Sequence, residues 1–185
     1  LLRSTFACQL SFTALLLCSG SLRQLQAQVG NDALTDTEVD QVREVADQPN
    51  ERVALFRKFM DERIAHIHDV ASARRIADRE KQLHDLMQQF SGLADELDDN
   101  LDDYQSRHAD VRKALKKLVA ASEKWPAVLA EPPDNAAYSI VRENAQEAAK
   151  DIHESAQKLL DDQDAWFAKH PPKKEQPQQP LVLPR

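Results

Sequence analysis

Glycine, cysteine and aromatic side chains are scarce in this sequence. It holds three glycines and two cysteines, and Phe, Trp and Tyr together make up 5 % of its 185 residues. Three glycines leave no Gly-rich phosphate loop and no Gly-flanked nucleophile elbow. Both cysteines fall within the first 18 residues, and if that segment is removed, disulfides, cysteine-ligated zinc and cysteine nucleophiles go with it. Few aromatic and β-branched residues argue against strands. An excess of base is also missing. Lys and Arg total 24 against 31 Asp and Glu, a formal charge of -7. Coulomb repulsion then opposes broad binding to nucleic acid or to an acidic membrane, so no nucleic-acid partner is expected. What remains is rich in Ala, Leu, Asp, Glu, Gln and Arg, a helix-forming mixture.

The N-terminus reads as a cleaved signal peptide over residues 1–27. Arg3 precedes the uncharged stretch 6–22, whose most apolar point is Leu15, Leu16 and Leu17. Ala27 fits the position before a cleavage site, with Leu25 larger than ideal two positions earlier. A membrane span is the alternative. Gln9, Ser11, Thr13, Ser19 and Ser21 interrupt the stretch, which falls short of about twenty apolar residues. Both cysteines, Cys8 and Cys18, lie in this leader, so cleavage would leave a cysteine-free protein. Lipid attachment at Cys18 is disfavoured by the bulky Leu17 before it.

Residues 28–169 read as one helical-bundle domain. Leu34 to Glu38, LTDTE, is a capping-box helix start, with Thr35 as cap and Glu38 at the third helical position. A short helix over 36–47 follows. Pro49 suits the first turn of the next helix. Val53, Phe56, Met60, Ile64, Ile67 and Val70 continue at spacings of three and four, and Leu83, Met87 and Phe90 resume the rhythm. Residues 51–90 are therefore read as one helix, kinked or broken near 72. Unbroken, it would measure about 60 Å. Ser91-Gly92 is the expected turn. A second run, Leu93, Leu97, Leu101, Tyr104, His108, Val111, Leu115 and Leu118, follows it.

Charge supports a helix over 93–124. Residues 93–110 hold seven acids against Arg107, net -6, and residues 111–124 hold five bases against Glu123, net +4. Acid at a helix start and base at its end complement the backbone dipole. Trp125-Pro126 ends this helix, and Glu131 to Asp134, EPPD, forms a rigid connection. Asp134 or Asn135 can cap a last helix striped by Tyr138, Val141, Ala145, Ala148, Ile152, Ala156, Leu159 and Trp166. The Pro/Gln-rich tail at 170–185 reads as disordered. The fold class is thus all-α: an antiparallel bundle of three long helices plus a short N-terminal helix. An elongated, coiled-coil-like rod is the alternative. The narrow, Ala-rich core also fits a homodimer.

Candidate chemistry is thin. Glu62 with His66 and Glu80 with His84 have the four-residue spacing of a helical ligand pair, but chance produces such pairs often at 30 % charged residues. Neither Glu-x-x-His nor HExxH occurs, against a di-iron or zinc-protease site. The acidic run 95–104 lacks the glycine-centred calcium loop and reads as a solvated face. His108 lies on the apolar stripe and is expected in or beside the core. Lys113, Lys116 and Lys117 form a basic patch that reads as paired with the acidic block, within the chain or across a dimer. Trp125, Trp166 and Phe167 sit at helix ends, where they close the bundle or offer a partner-binding spot. No catalytic, cofactor or metal residue is assigned, and no cofactor is expected.

The functional expectation is a non-enzymatic, exported helical-bundle protein with a structural, interaction or accessory role in the cell envelope, periplasmic or secreted. A protein partner or self-association is expected, and membrane association only if the leader is retained. A periplasmic metal- or small-ligand-binding protein is one alternative. A chaperone-like stress adaptor is another, because residues 34–38 resemble the Leu-Thr signatures of small helical envelope chaperones. That resemblance covers five residues and names no family.

Overall fold

The structure, a computed structural model, describes residues 33–171. The leader read at 1–27, and the tail beyond its first two residues, lie outside them. The described residues form six helices and no strand: α1 (Asp36–Glu44), α2 (Pro49–Ser72), α3 (Arg79–Ser106), α4 (Arg112–Ser122), α5 (Trp125–Leu129) and α6 (Ser139–Lys169). The all-α bundle is as expected, but its count and turns are not. The run read over 51–90 takes the broken form of that reading, with α2 ending at Ser72 and α3 beginning at Arg79, although α3 then continues to Ser106. The turn read at Ser91-Gly92 is the interior of α3. The helix read over 93–124 is broken at 107–111.

Local features accompany these differences. Ser91 is accommodated inside the helix with its hydroxyl donating to the Met87 carbonyl at 3.2 Å. Gly92 is there for proximity. A Cβ at this position would meet Ala33 Cβ at 2.8 Å, so the segment entering α1 crosses α3 where no side chain stands. The break at 73–78 is a cluster of charge. Arg74 and Arg75 lie just past the end of α2, and Asp78 and Glu80 flank the start of α3.

Four helices surround the core. Residues 50, 61 and 68 of α2 bond to 114, 125 and 131 at nearly constant offset, so α2 and α4–α5 run parallel. Val111 and Ser122 bond to Gln163 and His153, so α4 and α6 run antiparallel. α3 returns antiparallel to α2, with Gln89 beside Arg63. α3 and α6 are then parallel neighbours, and α3 lies diagonal to α4. The antiparallel arrangement expected for the whole bundle holds for two of its four neighbouring pairs.

The stripes meet along the axis. Val53, Phe56, Met60 and Ile67 of α2 face Leu83, Met87, Phe90, Leu93 and Leu97 of α3, all fully buried. Each such side chain contributes roughly 1.5–3 kcal/mol relative to exposure. α6 supplies Ala145, Ala149 and Ala156 instead, which lets its backbone approach closely. Trp125 sits edge-on to Phe90, at 5.5 Å between ring centroids.

Polar groups fix α1. Both bonds of the Thr35–Glu38 capping box form. Glu38 then takes a two-pronged contact from Arg63, at 2.8 and 2.7 Å. Arg63 also donates to Gln89 Oε1 at 2.9 Å and to the Ala33 carbonyl at 3.2 Å. Burial raises the pKa of Glu38, but bonds from Arg63 and Thr35 outweigh it and hold the carboxyl below the usual range. One guanidinium thereby ties α1 to α2 and α3.

Candidate functional site

A groove of about 590 Å³ lies between α2 and the α4–α5 segment. Ile64, Ala120, Ala121 and Val128 supply apolar surface, and Arg57, Lys117 and Lys124 supply positive charge. A smaller pocket continues it past Lys117 to Lys113, Ala114 and Asn50. The parallel packing of α2 against α4 builds this wall. Lys113, Lys117, Ala121 and Lys124 recur at spacings of three and four, so they share one face of α4 and the turn after it.

Two acids line this surface: Asp61 in the groove, and Glu51 beside Lys113 and Lys117 in the smaller pocket. Asp61 accepts from Trp125 Nε1 at 2.9 Å and from Arg57 Nη1 at 2.6 Å, so each of its oxygens already has a partner. Arg57 Nε is buried without a hydrogen-bond partner. Lys113, Lys117 and Lys124 make no ion pair among the described residues. The expected pairing of Lys113, Lys116 and Lys117 with the acidic block within the chain is thus absent as an ion pair, and it survives only as the electrostatic pull of Lys116 on Asp110. α3 and α4 stand diagonally across the bundle, and the two charge blocks meet at their junction, where Arg112 pairs with Asp110.

The charges also sit at the wrong helix ends. Asp102 and Asp103 occupy the C-terminal part of α3, and Arg112 and Lys113 open α4. Both placements oppose the helix dipole. Local pairs offset part of the cost. Arg107 meets Asp103 at 2.8 Å, and Arg112 meets Asp110 at 2.8 Å and Asp164 at 3.2 Å. The Arg112 bond to Asp110 also holds that carboxyl below its ordinary pKa.

Other candidate residues are scattered. Glu62 pairs with Lys58 at 3.6 Å, its preceding-turn neighbour, while His66 lines a separate groove of about 330 Å³ with Asp69 and Asp85. His84 contacts Asp85 at 3.3 Å, and Asp85 is also paired with Lys81. Among the described residues, no group of three or more His, Cys, Asp or Glu is arranged to hold a metal ion. The acids of 95–104 extend along a helix, with Asp95, Glu96, Asp99, Asp102 and Asp103 exposed.

Three arrangements were not apparent in the sequence. His108 is exposed rather than core, has φ 52°, and stacks on Trp166 at 3.9 Å. His170 stacks on Trp166 at 4.0 Å. Ser122 and His153 Nδ1 lie 2.9 Å apart, the spacing of a nucleophile and its base. Ser122 is 0 % exposed, however, and within reach of the Val119 carbonyl at 3.1 Å, so the pair is a buried hydrogen-bonded lock between α4 and α6. His68 meets Glu131 at 2.6 Å, and this bond raises the imidazole pKa.

Comparison with protein-family models, curated proteins and solved structures finds no match to this chain. No described helix is long and apolar enough to cross a membrane.

Proposed function

We propose that the chain is a non-enzymatic interaction protein of the cell envelope, exported through its N-terminal leader, and that the α2/α4–α5 groove is its docking surface. The observation that carries this reading is the groove itself: unpaired lysines beside apolar surface. Apolar floor gives contact area, and the cations select an acidic occupant. The dipole-opposing charges add support. Acids late in α3 and bases early in α4 work against the local rule for helix stability, and such departures concentrate where a surface serves a purpose.

Export rests on the uncharged stretch at 6–22 and the small residues that follow. The periplasm of a two-membrane bacterium, or secretion, is the corresponding location. The groove also suits a small anionic amphiphile, which is the second reading. The adaptor version, with an apolar client surface, has less support. Among the described residues the exposed large apolar side chains are Ile140 and Trp166.

Native mass spectrometry of the chain isolated from the cells that make it tests both parts. The expected species lacks residues 1–27 and carries a bound polypeptide. A full-length mass would overturn cleavage. A retained organic cofactor, together with turnover of a substrate, would overturn the non-enzymatic reading.

A further inference from the structure

We propose that the groove takes a second copy of this chain, through the outer face of α6. The inference rests on the docking reading above and names the occupant.

α6 carries the complement of the groove. Ile140 is 70 % exposed, the largest value among the exposed large apolar side chains. Glu143, Glu147 and Asp151 follow it at spacings of three and four and are exposed on the same side of the helix. These three acids make no ion pair among the described residues, although their neighbour Lys150 pairs with Glu154 at 3.7 Å. The chain thus displays unpaired acids behind an apolar knob, and unpaired lysines behind an apolar floor.

The dimensions agree. Glu143 to Asp151 spans about 12 Å of helix, and Lys117 to Lys124 spans about 10 Å. With Ile140 against Ile64 and Val128, the acids run back along the groove past Lys124 and Lys117. The incoming α6 then lies antiparallel to α4. The net charge of -7 repels two copies at long range. Contact therefore depends on local pairing, and it weakens where salt screens that pairing.

The groove and the α6 face are different surfaces of one molecule, so the contact is heterologous. Each copy offers one knob and one groove, and copies add head to tail until a ring closes or the chain continues. The expected behaviour is growth with concentration rather than a fixed mass.

Sedimentation velocity of the full chain, in reductant to keep Cys8 and Cys18 from cross-linking, provides the test. Wild type should assemble at low ionic strength and dissociate in about 1 M salt, where the screening length is about 3 Å. The double variant Lys117→Glu/Lys124→Glu has an acidic groove against an acidic face, and Glu143→Lys/Glu147→Lys has a basic face against a basic groove. Each should remain monomeric alone. Mixing them should restore assembly, because each groove then meets the opposite charge. Ile140→Asp should weaken assembly at least tenfold. All substituted side chains are exposed, and unchanged helical circular dichroism confirms that the variants fold. A wild type that stays monomeric at low salt, or a mixture that does not reassemble, overturns the proposal. If that monomer still joins a different protein through the groove, the docking reading survives. If it joins nothing, both fall.

Discussion

Two connections in this bundle do similar jobs by different means. Residues 73–78 turn the chain from α2 to its neighbour α3. Residues 107–111 carry it from α3 across the bundle end to the diagonal α4. The first is held by exposed contacts, Ser72 to the Asp69 carbonyl at 3.2 Å and Gln82 to the Ala77 carbonyl at 2.8 Å. The second is gripped from both sides. Gln163 of α6 donates to the Ala109 carbonyl at 2.8 Å and accepts from the Val111 amide at 3.1 Å. Asn50 of α2 donates to the Asp110 carbonyl at 2.7 Å and accepts from the Ala114 amide at 3.1 Å. A turn between neighbours leaves its backbone in water. A crossing buries backbone groups, and buried groups need partners. Helices on both flanks of the crossing supply one amide side chain each.

This difference predicts where the fold breaks. Gln163→Leu keeps the volume but strands the Val111 amide and the Ala109 carbonyl. Each of the two stranded groups costs about 1–3 kcal/mol, so urea unfolding should show a loss of roughly 2–6 kcal/mol. Gln82→Leu at the other turn should change stability by about 0.5 kcal/mol or less. Equal losses at the two sites would contradict the contrast.

Gly92→Ala examines the turn that did not form. Helix propensity alone predicts a gain of about 1 kcal/mol. The 2.8 Å contact with Ala33 must be relieved, however, and the Ala33 carbonyl is bonded to Arg63. A net loss of about 1–2 kcal/mol is expected, in the range of overpacked sites. A stabilised variant in thermal unfolding would show that the segment before α1 yields freely.

Both connections contain a left-handed non-glycine residue, Asp78 with φ 50° and His108 with φ 52°. Asp78→Gly should stabilise by about 0.5–1 kcal/mol through relief of that conformation. His108→Gly gains the same relief but loses the stack on Trp166. Its net change should be near zero, with altered Trp fluorescence.

The smallest effect concerns the connection at 130–138, tied to α2 by His68 and Glu131. The Glu131 hydrogen bond raises the His68 pKa. The folded state therefore holds this proton more tightly than the unfolded state. The contribution is full below the unfolded histidine pKa and fades as pH rises through the folded value. Wild type should melt slightly above His68→Gln in mild acid, and the two should converge in mild base. A difference that grows with pH would reverse the assigned sign.

Features governed by local chemistry were legible in the sequence. Thr35 and Glu38 cap α1 as their spacing implied, and Pro49 opens α2; Trp125-Pro126, read as a helix end, instead opens the short α5. The stripes of α2 and α3 are the core. The turns were harder, because Gly92 serves a packing contact that the sequence cannot display. The crossing at 107–111 contains no proline or glycine, and its partners are 52 to 64 residues away. The dipole argument misled over 93–124, where the charges oppose the dipoles of two separate helices. Lys113 and Lys117 were visible as a basic patch. Their partner wall, Arg57 and Ile64, comes from another helix. Asp110, the nearest acid before them, is taken by Arg112, and the acids of 95–104 lie on α3, diagonally across the bundle. Sequence adjacency there suggested a pairing that the topology prevents.

The docking reading is tested most directly by contact in the cell. A photo-crosslinking residue at Ala120, exposed in the groove, is compared with the same residue at Arg43, on the far surface of α1. The account predicts a discrete polypeptide adduct from Ala120, lost when Lys117 and Lys124 are reversed to Glu, and none from Arg43. Equal labelling at both positions, or no adduct at Ala120, would contradict it.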